Sequence, residues 1–336
     1  MVFNKNSIKK IKKFGRNQLV QTYNKFSPHY TDFINIILWI NRKGLYNDGV
    51  ILQRILTKAG FKVRLVSHKT TAPLMKSRLN IFIQYIYPQF LKYAKHNVLV
   101  PNPEWGDNDF DFIKNNFDGV IAKTKDCENI FRSDLNNVYY TSFTSNDVYM
   151  DNEPDRKYVH FAGASPLKGT KAIINLWNEK INLPKLYLYS YDDSYKYDVK
   201  NDNIVYRHDK LSDAEMKLLQ NKYLFHVCPS EYEGFGHQIN EAKSAMSIVF
   251  TTDAPPMNEL ISTDYGYLIK SRYKGKLQKG NLYSFEEDDL YEKIVASTTL
   301  TNTEINERRL KARESYQRND TFFKNRVAEV IGQYFN

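Results

Sequence analysis

Residues 229–245, PSEYEGFGHQINEAKSA, place Glu233 and Glu241 on either side of a bend that contains Gly234, Gly236 and His237. The stretch follows an apolar run suited to a buried strand. It opens a segment in which Ile239, Ala242 and Ala245 outline one helical face. Glycines at such a bend adopt backbone conformations closed to other residues and let a ligand approach the main chain. The first amides of the helix, near Gly236, His237 and Gln238, have no intrahelical partner and attract anions. Glu241 is expected in the first helical turn and Glu233 just before the bend. Two carboxylates beside an anion site can accept hydrogen bonds from hydroxyl groups while the amides hold phosphate. The chemistry expected here is recognition of a ligand that carries both.

Those residues must be held by a scaffold, and the chain offers one in two instalments. Strand-like and helix-like segments alternate almost throughout, the pattern of parallel sheets covered by helices. The first series comprises DFINIILWI (32–40), FKVRLV, RLNIFIQYI, NVLVPNP, DGVIAKT and NVYYTSF. Helical segments are expected at 88–95, 108–117 and 125–134, after an earlier one that Gly60 ends. The polar stretch TSNDVYMDNEPDRK reads as a linker. A second series follows with YVHFAG, KLYLYSY, NIVYRH, YLFHVCPS, SIVFTTD and YGYLI, with helices expected near 169–180, 211–222, 238–246 and 255–262. The charged end reads as helical segments in succession. The fold class expected is α/β, with two Rossmann-like units at 1–150 and 157–312 facing a cleft. Ligands of such sheets bind beyond the carboxyl ends of the strands, which is where residues 229–245 fall.

The stretch SEYEGFGHQINEA resembles the Glu-x7-Glu signature of family 4-type glycosyltransferases, nucleotide-sugar enzymes of the GT-B fold. HFAGASPLKGTKAIINLW looks like that family's strand, short loop and Lys-Gly before a helix. TTDAPPMNELISTDYGYLI is similar in order and spacing to its next strand, turn, helix and strand. Together the three cover most of residues 158–300, and the N-terminal half matches in architecture alone. The resemblance implies transfer of a sugar from a nucleoside diphosphate sugar to an acceptor hydroxyl, with retention, without a metal and without a further cofactor. It implies that Glu233 binds hydroxyls of the transferred sugar, Glu241 the ribose, and the amides of Phe235, Gly236 and His237 the sugar and distal phosphate. Gly44, Gly163, Ser165, Gly234 and Gln238 join this donor-binding set. Lys168 would neutralise the diphosphate leaving group, a role with a plain basis because departing diphosphate concentrates charge. The last segment, 313–336, is expected to cross back onto the first unit through Phe322, Phe323, Val327, Val330 and Ile331.

The chain departs from the family at several points. Ala164 stands where an arginine is usual, so the diphosphate clamp has one cation fewer and Ser165 is a substitute donor. His237-Gln238 replaces Leu-Pro, leaving His237 able to contact the sugar. Gly44 and Gly49 are not adjacent, and no phosphate-cradling Gly-Lys-Ser/Thr follows them. On the acceptor side, VLVPNPEW ends a strand in Asn102, Glu104 and Trp105. The carboxylate could position an acceptor hydroxyl, which makes Glu104 a further catalytic candidate, and the aromatic could stack on a sugar ring. His68 is another cleft candidate. The acceptor class stays open: a glycan, a lipid-linked or another hydroxyl compound.

Two rival readings are a metal-dependent GT-A glycosyltransferase and a non-enzymatic nucleic-acid-binding protein. The first would use Asp107, Asp109 and Asp111 of GDNDFDF as oxygen ligands, though aspartates also favour a helix start. The second is prompted by a net charge of +10 and 14% aromatic residues, but the basic residues are spread out and no recognition module is present. The charge favours anionic partners generally. Lys9, Lys10, Lys12, Lys13 and Arg16, threaded by Ile8, Ile11 and Phe14, could rest on an anionic membrane surface or form a solvated terminal helix. Cys127 and Cys228 offer neither a disulfide framework nor zinc spacing. With no run of about 18 apolar residues and no signal-peptide core, a cytoplasmic protein is expected, peripheral to a membrane at most.

Overall fold

A computed structural model of the chain describes residues 18, 20, 22, 29–40, 44–106, 109–163, 165–192, 194–208 and 210–336. The basic segment at Lys9–Arg16, Asp107 and Ala164 lie outside the described residues. Six strands form a first parallel sheet: β1 (Thr31–Leu38), β2 (Lys62–Ser67), β3 (Ser77–Ile83), β4 (Ala94–Val100), β5 (Gly119–Ala122) and β6 (Val138–Tyr140), in the order β2-β1-β3-β4-β5-β6. Six more form a second: β7 (Asp155–Gly163), β8 (Leu186–Ser190), β9 (Ile204–His208), β10 (Tyr223–Cys228), β11 (Ile248–Thr252) and β12 (Tyr267–Ile269), in the order β12-β11-β10-β7-β8-β9. The continuous apolar runs are explained by burial on both faces. Ile34, Ile36, Ile37 and Leu38 of β1 are all fully buried, as is all of β10 to within a few per cent.

Each sheet reverses its strand order once, between β1 and β3 in the first and between β7 and β10 in the second. Loops diverge at such a reversal and leave a crevice at the carboxyl edge. Residues 165–169 follow β7 and 229–236 follow β10, so topology alone puts Lys168 and Glu233 side by side.

Nine helices cover the sheets among the described residues: α1 (Gly44–Lys58), α2 (Phe110–Asn116), α3 (Lys125–Arg132), α4 (Thr170–Glu179), α5 (Ser194–Asp198), α6 (Asp213–Lys222), α7 (His237–Ser244), α8 (Glu287–Thr298) and α9 (Asn302–Gly332). Three expectations change. The segment at 88–95 is a 3-10 turn, Pro88–Tyr93, cut short because β4 starts at Ala94. The segment at 255–262 is a single 3-10 turn, Met257–Glu259, since Pro255 and Pro256 have no N–H to donate to a helix. Beyond α8 the charged end is one helix of 31 residues rather than two in succession, opened by a Thr301–Glu304 capping box.

The sequence reading also missed a hairpin, β13 (Ser271–Leu277) with β14 (Gly280–Phe285). Its turn donates from Lys279 N to Pro103 O at 3.0 Å, joining the second half to the loop after β4. The segment read as a linker is packed rather than loose. Ser145 O accepts from Tyr316 Oη at 3.0 Å, and Val148 N donates to Ser244 Oγ at 3.0 Å. At the far end of α9, Phe323, Val327, Val330 and Ile331 are fully buried in the same core as Ile51 and Ile55 of α1. Among the described residues no helix is long and apolar enough to cross a membrane.

Candidate functional site

Two hollows meet at the carboxyl edges of the sheets. The larger, about 530 Å³, lies between the halves; Gly44, Asp48, Asn102, Glu104 and Trp105 line it from the first, and Ser165, Lys168 and residues 232–238 from the second. The smaller, about 160 Å³, belongs to the second half and is lined by Gly163, Tyr189, Tyr191, Gln220 and Glu241 among others. Lys168 and Gln238 border both.

Lys168 ends the 3-10 turn Pro166–Lys168, which Ser165 caps by accepting from Leu167 N at 3.3 Å. Gly169 then takes a left-handed conformation, and a Cβ there would stand 2.5 Å from Pro229 O, so only glycine lets the two loops touch. Beneath them the buried His160 bridges Thr170 Oγ1 at 2.9 Å and Val227 O at 2.7 Å. Burial pushes its pKa down to about 4, so it is a neutral brace. The Lys168 ammonium donates to Glu233 Oε1 at 2.5 Å, and Ser230 Oγ donates to the same oxygen at 2.6 Å. Burial alone would lower the Lys168 pKa, but Glu233 outweighs it and holds the ammonium above its ordinary value.

Gly236 caps α7 with φ 94°. The helix starts at His237, one residue earlier than expected, so Glu241 sits at the beginning of its second turn. Glu241 accepts from Gln220 Nε2 at 2.8 Å, and burial raises its pKa even against His237, Gln220 and Lys168. Gly234 lets the halves approach closely: an added Cβ would lie 2.5 Å from Asn102 Oδ1 of the first half and push that side chain aside. Asn102 in turn donates to Gln84 Oε1 at 2.8 Å.

His237 lines the larger hollow and also reaches across to the first half. Its Nε2 donates to Asp48 Oδ1 at 2.6 Å, and Lys123 Nζ donates to Asp48 Oδ2 at 3.0 Å. Burial would raise the Asp48 pKa, but Lys123 and His237 outweigh it and hold it below the usual carboxylate range. Other contacts join the halves nearby: Tyr232 Oη donates to Asp126 Oδ2 at 2.6 Å, and Glu259 accepts from the α3 amides of Lys125 and Asp126 at 2.6 and 2.8 Å. A carboxylate at a helix start is well placed against the macrodipole.

Glu104 is 4% exposed and its Oε2 has no partner among the described residues. Burial raises its pKa to about 7. A carboxyl held protonated by the fold costs stability as pH rises from the unfolded value, about 4.3, to the folded one, and no more beyond that. Replacing Glu104 by Gln removes this term. In urea titrations from pH 4 to 9, the variant's stability relative to wild type should therefore rise up to about pH 7 and then level; a constant difference would overturn the assignment.

Trp105 is 39% exposed at the cleft, and His68 meets Trp39 edge-on with ring centroids 6.0 Å apart. Asp109 caps α2 by accepting from Phe112 N at 3.0 Å, and Asp111 lies in that helix's first turn. Among the described residues no group of three metal-ligating side chains is found. The sequence reading missed Asp48, Lys123 and Gln220, which only tertiary pairing reveals.

Residues 190–299 match the family model described as glycosyl transferases group 1. No curated protein matches the chain by sequence. Among solved structures, a glycosyltransferase from Rickettsia africae ESF-5 superposes with a TM-score of 0.72 at 11% identity, over 92% of this chain and 99% of that one. Anabaena Alr3699/HepE, solved in complex with UDP and glucose, gives 0.60 at 11% identity, over 90% and 100%. TarM of S. aureus gives 0.60 at 18% identity, covering 76% of this chain but 55% of its own length. At such identities the likeness is one of fold: two parallel six-stranded sheets in the GT-B arrangement. The GT-A alternative is thereby set aside.

Proposed function

We propose, for a GT-B chain that carries a glycosyl transferases group 1 region, that it moves a sugar from a nucleoside diphosphate sugar to an acceptor hydroxyl. The observation that carries the reading is the meeting of the two hollows at Lys168, with Glu233 on one side and Glu241 on the other. The smaller hollow would take the nucleoside, with Glu241 accepting from the ribose hydroxyls. The diphosphate would lie at Lys168 and the free amides of Phe235, Gly236 and His237, and Glu233 would accept from the sugar. UDP and glucose in the Anabaena structure favour a uridine donor.

In the transfer the bond from the anomeric carbon to the diphosphate oxygen breaks, and one from the acceptor oxygen to that carbon forms. Negative charge grows on the leaving diphosphate, where a fixed ammonium and unpaired amides stabilise it more than in the ground state. The acceptor proton passes to the departing phosphate oxygen as attack occurs on the same face, giving retention without a protein base or a metal. Glu104 would position the acceptor. We read residues 1–150 and 157–312 as the two units that close on the donor, with 313–336 tying the second back to the first.

A thermal-shift series with UDP-, GDP-, ADP- and TDP-sugars tests this. One of them should raise the melting temperature in proportion to the logarithm of its concentration, as expected for a ligand of the folded state, and should release its nucleoside diphosphate when acceptor is supplied. If none of the four shifts the transition, the reading fails.

A further inference from the structure

Four adjacent strands of the first sheet each end in an aromatic ring at the carboxyl edge. His68 follows β2, Trp39 follows β1, Tyr85 lies just past β3 and Trp105 lies past β4, and the strands neighbour one another in that order. Ring centroids are 6.0 Å apart for Trp39 and His68 and 6.1 Å for Trp39 and Tyr85. Gly106, with φ 85°, turns the loop after Trp105 back beside residues 84 and 85, since a Cβ there would be 3.2 Å from Gln84 O and 3.6 Å from the Tyr85 ring. Three strand spacings make the row about 14 Å long, more than a single sugar ring occupies.

The row is not core. Trp39 is 43% exposed and Trp105 39%, whereas Trp177, the remaining tryptophan, is fully buried. Trp39, Tyr85 and Trp105 line the same cleft as Lys168 and Glu233, at the point where the first sheet reverses its strand order. Contiguous exposed apolar surface in a cleft marks a binding site. The polar groups beside it are the neutral amides of Gln84 and Asn102 and the carboxyls of Asp48 and Glu104, whose Oε2 has no partner among the described residues. Among the described residues the ammonium groups lining the cleft, Lys123 and Lys168, are already paired with Asp48 and Glu233.

Aromatic faces accept the apolar C–H faces of pyranose rings, and a buried carboxyl serves a hydroxyl. Resting on the reading of this cleft as a sugar-transfer site, we infer that the acceptor is the end of a neutral oligosaccharide. Its terminal hydroxyl lies at Glu104, and the preceding rings stack along Trp105, Tyr85 and Trp39.

The test is a titration of tryptophan emission in the full chain, with UDP or GDP present, by maltotriose, cellotriose and chitotriose, alongside binding to an array of neutral and phosphorylated glycans. Trp177 supplies a constant background. At least one neutral oligosaccharide should change the emission saturably. A Trp39→Leu/Trp105→Leu variant should bind that sugar at least tenfold more weakly on the array, while its thermal response to the sugar nucleotide stays that of wild type. Both positions are more than a third exposed, and the single variants carry the same comparison should the double one unfold. The inference is overturned if no neutral oligosaccharide binds, if the leucine variants bind as wild type does, or if phosphorylated glycans bind tenfold better. Absence of any nucleotide response, by contrast, strikes the transfer reading itself.

Discussion

Replacing Lys168 by alanine is expected to lower turnover by roughly 10²–10³-fold and to leave the protein folded. The ammonium is the cation that borders both hollows, and it is held charged by Glu233. Its value in the reaction is differential. In the resting site it faces one carboxylate, and as the donor bond breaks it also faces the growing charge on the diphosphate. The loss should therefore appear mainly in kcat. Binding of the nucleoside part, held by Glu241 and the smaller hollow, should change little. Lys168→Arg keeps the charge but not the point geometry and should recover part of the rate. Turnover of the alanine variant within a few-fold of wild type would remove Lys168 from the mechanism.

The second large effect concerns stability. Asp48 and Lys123 are each 3% exposed at the side chain and meet at 3.0 Å, with His237 on the other carboxylate oxygen. Asp48→Ala leaves a buried ammonium without its counter-ion, a change that costs about 3–5 kcal/mol. Converting the pair together, Asp48→Leu with Lys123→Met, removes the stranded charge and should restore most of the loss. Acid should narrow the gap between wild type and Asp48→Ala. The Asp48 pKa is depressed in the folded protein, so its stabilisation is complete above the unfolded carboxylate value, about 3.9, and disappears as pH falls through the folded one. Chemical denaturation at pH 7 and pH 3 measures both. An alanine variant as stable as wild type at pH 7 would show the pair to be idle.

The Asp48 network also shows why part of the site was not readable from the chain. Asp48 lies on α1, Lys123 just before α3 and His237 at the start of α7. No local pattern links positions 48, 123 and 237: His237 reads as a sugar contact, and nothing nearby in the chain singles out Asp48 or Lys123. His68 and Trp105 read as separate cleft candidates, and they join Trp39 and Tyr85 in a row only because β1 inserts between β2 and β3. By contrast, Glu233, Gly234, Gly236 and Glu241 lie within one strand-turn-helix unit. The turn's backbone and the helix's first amides follow from local geometry, so their grouping was legible. The hairpin β13–β14 escaped because one strand is largely exposed and the other mostly half-buried, so neither shows a core alternation.

The sequence by itself determined that the chain forms alternating strands and helices in two series, and that a glycine bend with flanking carboxylates follows one strand. Apolar runs, proline placement and helix starts act over a few residues, and that range suffices. Tertiary structure alone decided which loops face one another: Lys168 against Glu233, Gly234 against Asn102, and His237 against Asp48. Those choices depend on strand order and on charges that must find partners once water is excluded, and neither is written in any short stretch of chain.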